Sequence, residues 1–353
     1  MSYSFIASRR SILKAAAAGA AVAGLGWHPT FAAPDREKEL LEPATKEGEV
    51  TWYTSQSDDA TAQALARDFE GHYPGIKVNA VRATAQEAFQ RVTEEIKAGA
   101  VEVDVLSTTD IGHCVHLKDQ GVLEKYIPAN SYDMIEAYKG LDRDGYYHAT
   151  SAGMVNIGYA TNRLKEDQVP QTWPELLDPK WKDKITVGHP GFSGYVGTWV
   201  LMMRKLYGWD YFERLAQNNP QIGQSIGDTV TTLSAGKRVI GATANAALLS
   251  AAAKGTPLAA VYPTDGAVLV IAPSGIMKSA KHPNAAKLLM EYLLSVDASQ
   301  RWVEHFYESI RPEVDPLPGS KSAKGVKVIN PTVDEITSGI PEVIKQWRDT
   351  FGA

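Results

Sequence analysis

Residues 185–199 read ITVGHPGFSGYVGTW. The β-branched run Ile185-Thr186-Val187 stops at Gly188. A turn rich in glycine follows, through His189, Pro190, Gly191, Phe192, Ser193 and Gly194. From Tyr195 to Leu206 the apolar residues recur at helical spacing. Strand, glycine-rich turn and helix in that order leave free backbone N–H groups and a serine hydroxyl at a helix N-terminus, a corner suited to an anion. No Lys-Ser or Lys-Thr closes the turn, so it is not a Walker loop. An ordinary turn capped by Ser193 is the competing reading.

The same grammar runs through the chain. Glu49–Thr54 alternates as a strand and leads through Ser55-Gln56-Ser57 into a helix with Ala62, Leu65, Ala66 and Phe69 on one face. Ile76–Val81 is a second strand, followed by a helix marked by Phe89, Val92 and Ile96. Val103–Leu106 is a third, closed by Ser107-Thr108-Thr109-Asp110 before a helix from Ile111 to Gln120. After the mixed segment 123–144, residues 146–161 (YYHATSAGMVNIGYAT) make one long alternating strand, read as a crossing between two lobes. Beyond the stretch at 185–199, Gln224–Thr229 opens a helix, Val239–Ala242 is a strand, and Thr243-Ala244-Asn245 opens another helix. Leu258–Val261 and Ala267–Ile271 are strands around the turn 262–266. Helices follow at 283–294 and 298–306, and a last one carries Ile336, Ile340, Ile344 and Trp347. Strands alternating with helices argue an α/β architecture with parallel sheets.

A length of 353 residues suits two domains. The formal charge is −5, and without Arg9, Arg10 and Lys14 the remainder holds 33 basic and 41 acidic residues, or −8. No basic excess exists to neutralise phosphates, which argues against a nucleic-acid partner. Cys114 is the single cysteine, so no intramolecular disulfide or Cys-x-x-Cys site can form. The N-terminus places Ser8-Arg9-Arg10-Ser11-Ile12-Leu13-Lys14 before AAAAGAAVAGLG and ends in small residues at Ala32-Ala33. That is an export signal with the paired arginines of the twin-arginine type, cut near Ala33. The run is too short and too rich in alanine to span a bilayer. A periplasmic protein is expected.

Four pieces in fixed order carry a family resemblance: EVTWYTSQS at 49–57, VDVLSTTD at 103–110, LLDPKWKDKITVGHPGFSG at 176–194 and VYPTDGAVLVIAPSGIMKSAKHPNAAKLLMEYLLS at 261–295. Over the mature chain the sequence resembles the periplasmic solute-binding proteins of ABC transporters, type II class, in the branch that includes the ferric-iron binders. The resemblance implies two doubly wound lobes joined by a two-strand hinge that closes over the solute. Lobe 1 would take residues 34–148 and 265–312, lobe 2 residues 149–264, and 313–353 would form a helical tail across both. It further implies a permease in the inner membrane as partner, a monomer, no cofactor and no enzymatic activity.

In open α/β sheets ligands sit beyond the carboxyl ends of the strands. The loops there supply the candidate site: Ser55, Gln56, Ser57, Thr108, Thr109, Ser193, Gly194, Tyr195, Asp228, Thr229, Asn245 and Asp265, with Tyr147 as an aromatic wall. These are neutral hydrogen-bonding groups and helix starts, suited to a small oxygen-rich anionic solute. Arg82, at the end of the second strand, is a cation that could pair with it or stand in solvent. Carboxylate, phosphate ester, phosphonate, polyamine and metal chelate all stay open. The resemblance to iron binders breaks at 243–247, where their adjacent tyrosine pair is replaced by Thr-Ala-Asn-Ala-Ala. Iron or an iron chelate is the alternative. Tyr146 and Tyr147 point to opposite faces of a strand, and His113, Cys114 and His116 fit packing better than metal. A secreted hydrolase is a second alternative, but Ser193 lacks the Gly-x-Ser-x-Gly spacing of a nucleophile elbow, and Asp58, Asp110, Asp228 and Asp265 suit helix caps and turns.

Overall fold

The computed structural model describes residues 33–352; residues 1–32 of the expected export signal lie outside them. In chain order the elements are α1 (Ala33–Glu47), β1 (Glu49–Thr54), α2 (Asp59–His72), β2 (Lys77–Arg82), α3 (Ala85–Ala98), β3 (Val105–Ser107) and α4 (Ile111–Asp119). The long β4 (Tyr147–Ala160) follows, then β5 (Ile185–Val187), α5 (Gly194–Tyr207), α6 (Asp210–Gln217), β6 (Gln221–Ile222) and α7 (Ile226–Ser234). The chain continues through β7 (Ile240–Ala244), α8 (Asn245–Ala253), β8 (Leu258–Val261), β9 (Ala267–Ile276), α9 (Pro283–Leu293), α10 (Val296–Glu304), β10 (Val328–Ile329) and α11 (Val333–Phe351).

The strands order as β2-β1-β3-β9-β4-β7-β5-β6, with β10 beside β9 and β8 beside β4. β1 is parallel to β2 and β3, and β5 is parallel to β6 and β7. These are the two helix-covered α/β halves that the alternation announced. They are fused through β4 and β9, which pair antiparallel from Tyr147↔Gly275 to Val155↔Val268. β4 then hands over to β7 and β8. Every β9 residue is buried, and so is all of β4 but His148. Strands buried on both faces are mostly apolar or small on both, as these are but for Asn156 of β4.

Between Ala149 and Ser151 the register of β4 on β9 slips. Thr150 at this slip joins a buried polar chain. Gln56 Nε2 donates to Thr150 Oγ1 (3.1 Å) and to the carbonyls of Ala272 (3.0 Å) and Pro273 (3.1 Å). The Thr150 and Ser107 hydroxyls both meet Ser274 Oγ at 2.5 Å, and Trp52 Nε1 donates to Ser107 Oγ. The first strand-to-helix corner is thereby tied to the long strands.

The core beside α5 is aromatic: Trp173, Trp199, Phe212 and Trp347 pack edge to face or tilted. α11 lies on α5 through small-residue contacts. A Cβ on Gly339 would sit 2.4 Å from Leu201, and one on Gly197 would meet Ile340. Lys205–Glu335 and Arg204–Glu342 ion pairs hold the same face. No helix among the described residues is long and apolar enough to cross a membrane.

Candidate functional site

The carboxyl ends of β1, β2, β3, β5 and β7 open on one cleft of about 590 Å³, open solvent included. Its first wall is the β1–α2 corner, Ser55 to Asp58. Asp58 caps α2 by accepting from Thr61 N at 2.8 Å, and Ser55 Oγ accepts from Thr109 N at 3.2 Å. Arg82 ends β2 and lines the cleft. Its Nε donates to the Ser57 carbonyl at 3.2 Å, which aims the guanidinium while leaving its two terminal amino groups for another partner. Thr84 caps α3 in a reciprocal box with Glu87, accepting from Glu87 N at 3.3 Å while Thr84 N donates to Glu87 Oε2 at 3.0 Å. Those bonds hold the Glu87 carboxyl below its usual range, with the Arg82 charge a smaller influence.

The opposite wall comes from the stretch quoted first. Ser193 stands at the N-cap of α5 and is 7 % exposed, yet its side chain makes no capping hydrogen bond. The hydroxyl is therefore not consumed by the helix, against the competing reading. His189 braces the turn: its Nδ1 accepts from Gly191 N at 2.9 Å, and its ring packs on Phe192 and Trp347. Tyr195 rises from the first turn of α5 until its hydroxyl presses on Gly153 of β4, where a Cβ would lie 2.3 Å away. Ser225, Ile226 and Gly227 bring in the start of α7, and Ala244 and Ala247 the start of α8. Tyr307, just past α10, completes the lining. Burial pushes both phenols, Tyr195 and Tyr307, well above their ordinary range, so both remain protonated donors.

Of the residues singled out from sequence, Ser55, Gln56, Ser57, Thr109, Ser193 and Tyr195 share this cleft. The others do local work. Thr108 Oγ1 pairs with His113 Nδ1 at 3.1 Å and accepts from Asp110 N. Asp228 accepts from Ser225 N at 2.7 Å, closing the cap of α7, and Thr229 Oγ1 donates to the Ile226 carbonyl. Because β7 runs to Ala244, Asn245 falls inside α8 and accepts from Asn156 Nδ2 of β4 at 3.0 Å. Asp265 lies elsewhere, accepting from Trp173 N (2.9 Å) and Tyr207 OH (2.5 Å). Tyr147 is 4 % exposed in the core. Gly194 does not line the cleft; it abuts the Thr109 carbonyl, which a Cβ would approach to 2.1 Å.

Thr84, Ser225 and Tyr307 are not among the residues the sequence singles out, and Arg82, which the sequence leaves between solute and solvent, lines the cleft. Thr84 and Ser225 carried a readable signal, each being Ser or Thr three residues before an acid at a helix start. Tyr307 carried none, since it arrives from the far end of the chain. His113 stacks on Phe89 with centroids 4.1 Å apart, and burial keeps its imidazole below its usual range. His116 meets Gln120 and Cys114 is buried, so these three are engaged in packing and local bonds.

A family model described as bacterial extracellular solute-binding protein matches residues 103–338. An uncharacterised protein of Haemophilus influenzae is 23 % identical over 270 residues, 73 % of this chain and 76 % of that one. Among solved structures, the periplasmic binding protein AfuA of Actinobacillus pleuropneumoniae, with fructose-6-phosphate bound, superposes at a TM-score of 0.79. The match has 21 % identity and covers 86 % of this chain and 99 % of that one. Iron-bound HitA of Pseudomonas aeruginosa gives 0.74 with 20 % identity over 86 % and 99 %. These likenesses establish the fold, and the family match, spanning most of the described residues, establishes the lineage: the chain belongs to the bacterial extracellular solute-binding proteins.

Proposed function

We propose that this protein is the periplasmic receptor of an ABC importer for a small, oxygen-rich organic anion, gripped in the cleft headed by Arg82. The observation that carries this reading is the placement of Arg82. Its guanidinium lines a cleft whose other polar groups are Ser, Thr and Tyr hydroxyls, the Gln56 amide and the Asp58 carboxyl, which is engaged in capping α2, and onto which the starts of α2, α3, α5 and α7 open. One cation, several neutral donors and several helix N-termini favour a bound negative charge. AfuA holds a sugar phosphate, and a compound carrying both an anionic group and several hydroxyls matches this lining. The adjacent tyrosine pair of the iron binders is replaced by Thr-Ala-Asn-Ala-Ala at 243–247, which weighs against ferric iron, the alternative. Residues 34–148 with 265–312 and residues 149–264 act as the two lobes that close on β4 and β9, and 313–353 straps them. The arginine pair directs export by the twin-arginine route with cleavage near Ala33, and the mature receptor works as a monomer beside its permease.

Isothermal titration against a panel of sugar phosphates, carboxylates and phosphonates tests the reading. One-to-one binding without turnover is expected. Arg82→Gln should weaken it by about 1.5–3 kcal/mol, the usual worth of a hydrogen bond to a charged group, or roughly tenfold to 150-fold. Wild-type affinity in Arg82→Gln would remove the anion from the proposal. Product formation would make the protein an enzyme.

A further inference from the structure

Beyond α10 the chain returns along β4, where Glu308 N donates to the Ala152 carbonyl at 3.0 Å. Beside this return lies a second recess of about 840 Å³, open solvent included. It is bounded by the turn at Glu136–Tyr138, by Leu269 of β9, and by the extended chain that includes Val314 and Val328. Tyr307 borders both this recess and the cleft. The walls are mostly apolar, and one carboxyl is sunk into them: Glu308 is 7 % exposed. Its Oε2 accepts from Ala323 N at 2.9 Å. Among the described residues no cation lies within ion-pairing distance of it. Lys324 stands at the rim, offset by Asp315.

A buried carboxylate without a counter-charge is costly. Burial accordingly pushes the Glu308 carboxyl above its ordinary range, against the smaller effect of the Ala323 N–H. Burial also raises the Tyr138 phenol, with the Glu308 charge adding to it, which places the ring and the carboxyl within electrostatic reach. A glutamine oxygen could accept the Ala323 N–H equally well. Anchoring residue 323 therefore gives no reason for an acid at 308, whereas a cationic guest does. An ammonium would supply the missing counter-charge, and Tyr138 lines the recess where such a cation would sit.

We propose that this recess is a second binding site, separate from the cleft, for a small primary organic ammonium. Its charged head meets Glu308 and its apolar body packs between Tyr138, Leu269 and Val314. The probe is benzylammonium, with benzyl alcohol as the neutral compound of similar shape, titrated calorimetrically into the mature protein. One-to-one binding of benzylammonium is expected, at least tenfold tighter than of benzyl alcohol and weakened at least tenfold by Glu308→Gln. Circular dichroism checks that this variant folds. If it does not, Ala137→Trp serves instead, because Ala137 is an exposed residue on the rim whose enlargement should block entry. No saturable binding, equal affinity for the alcohol, or unchanged affinity in a folded Glu308→Gln overturns the proposal. Arg82→Gln should leave benzylammonium affinity unchanged. A change of either sign there, above all a gain because the guanidinium repels an ammonium, would put the amine in the cleft and also overturn the second site, while leaving the anion titrations to judge the cleft by themselves.

Discussion

Gly194 offers the sharpest test of how the two walls meet. It starts α5, the helix after β5, and it rests on the loop between β3 and α4. A Cβ built on it lies 2.1 Å from the Thr109 oxygen, 2.3 Å from the Thr109 carbon and 2.7 Å from Asp110 N. All three are backbone atoms, so no rotamer change relieves the overlap. Since real Cβ contacts fall no nearer than 3.0 Å, Gly194→Ala must part the walls by roughly 1 Å. Thr109 N would then strain its bond to Ser55 Oγ. Overpacking of this kind costs about 1–3 kcal/mol, or roughly fivefold to 150-fold in Kd. If the contact forms as lobes close on solute, the loss falls on affinity, and the melting temperature without solute should change by less than about 1 °C. Calorimetric Kd for the tightest anion of the panel, with melting curves in its absence, separates these outcomes. An unchanged Kd in Gly194→Ala would refute the closing contact. An unchanged Kd with a melting point lowered by several degrees would make it a static packing contact.

Ser193→Ala should weaken anion binding by about 1 kcal/mol and leave stability unchanged, because the hydroxyl caps nothing; a melting point lowered as by a lost cap would contradict this. Asn245→Leu should leave affinity near wild type and cost about 1–3 kcal/mol of stability in urea unfolding, since it strands Asn156, whose Oδ1 already lacks a partner. Trp347→Ala should cost about 3–5 kcal/mol in the same assay, as the ring is fully buried against Phe212 and Phe351. Burial holds His148 below its ordinary range. Its contribution is complete above the unfolded histidine pKa and is lost as pH falls through that value toward the folded one, by at most about 1.4 kcal/mol per pH unit. Melting points between pH 7.5 and 5 should therefore fall, and fall less in His148→Gln.

The alternation of strand and helix was plain in the residues because period-two and period-3.6 patterns follow from local geometry. So were the long crossing strand at 146–161 and the corners where polar turns face the strand ends. The use of each corner residue was not legible, and the reason is chemical. Ser, Thr, Asp and Asn serve equally as helix caps and as ligand contacts. Asp228 and Ser193 look alike on paper, yet one closes a cap and the other leaves its hydroxyl free. Only the pairing of β3 with β9 and of β4 with β7 settles which side chains converge. That pairing brings Arg82 and Tyr307, 225 positions apart, to one cleft, and it brings Gly194 against Thr109. Such contacts rest on long-range register, which no local pattern encodes.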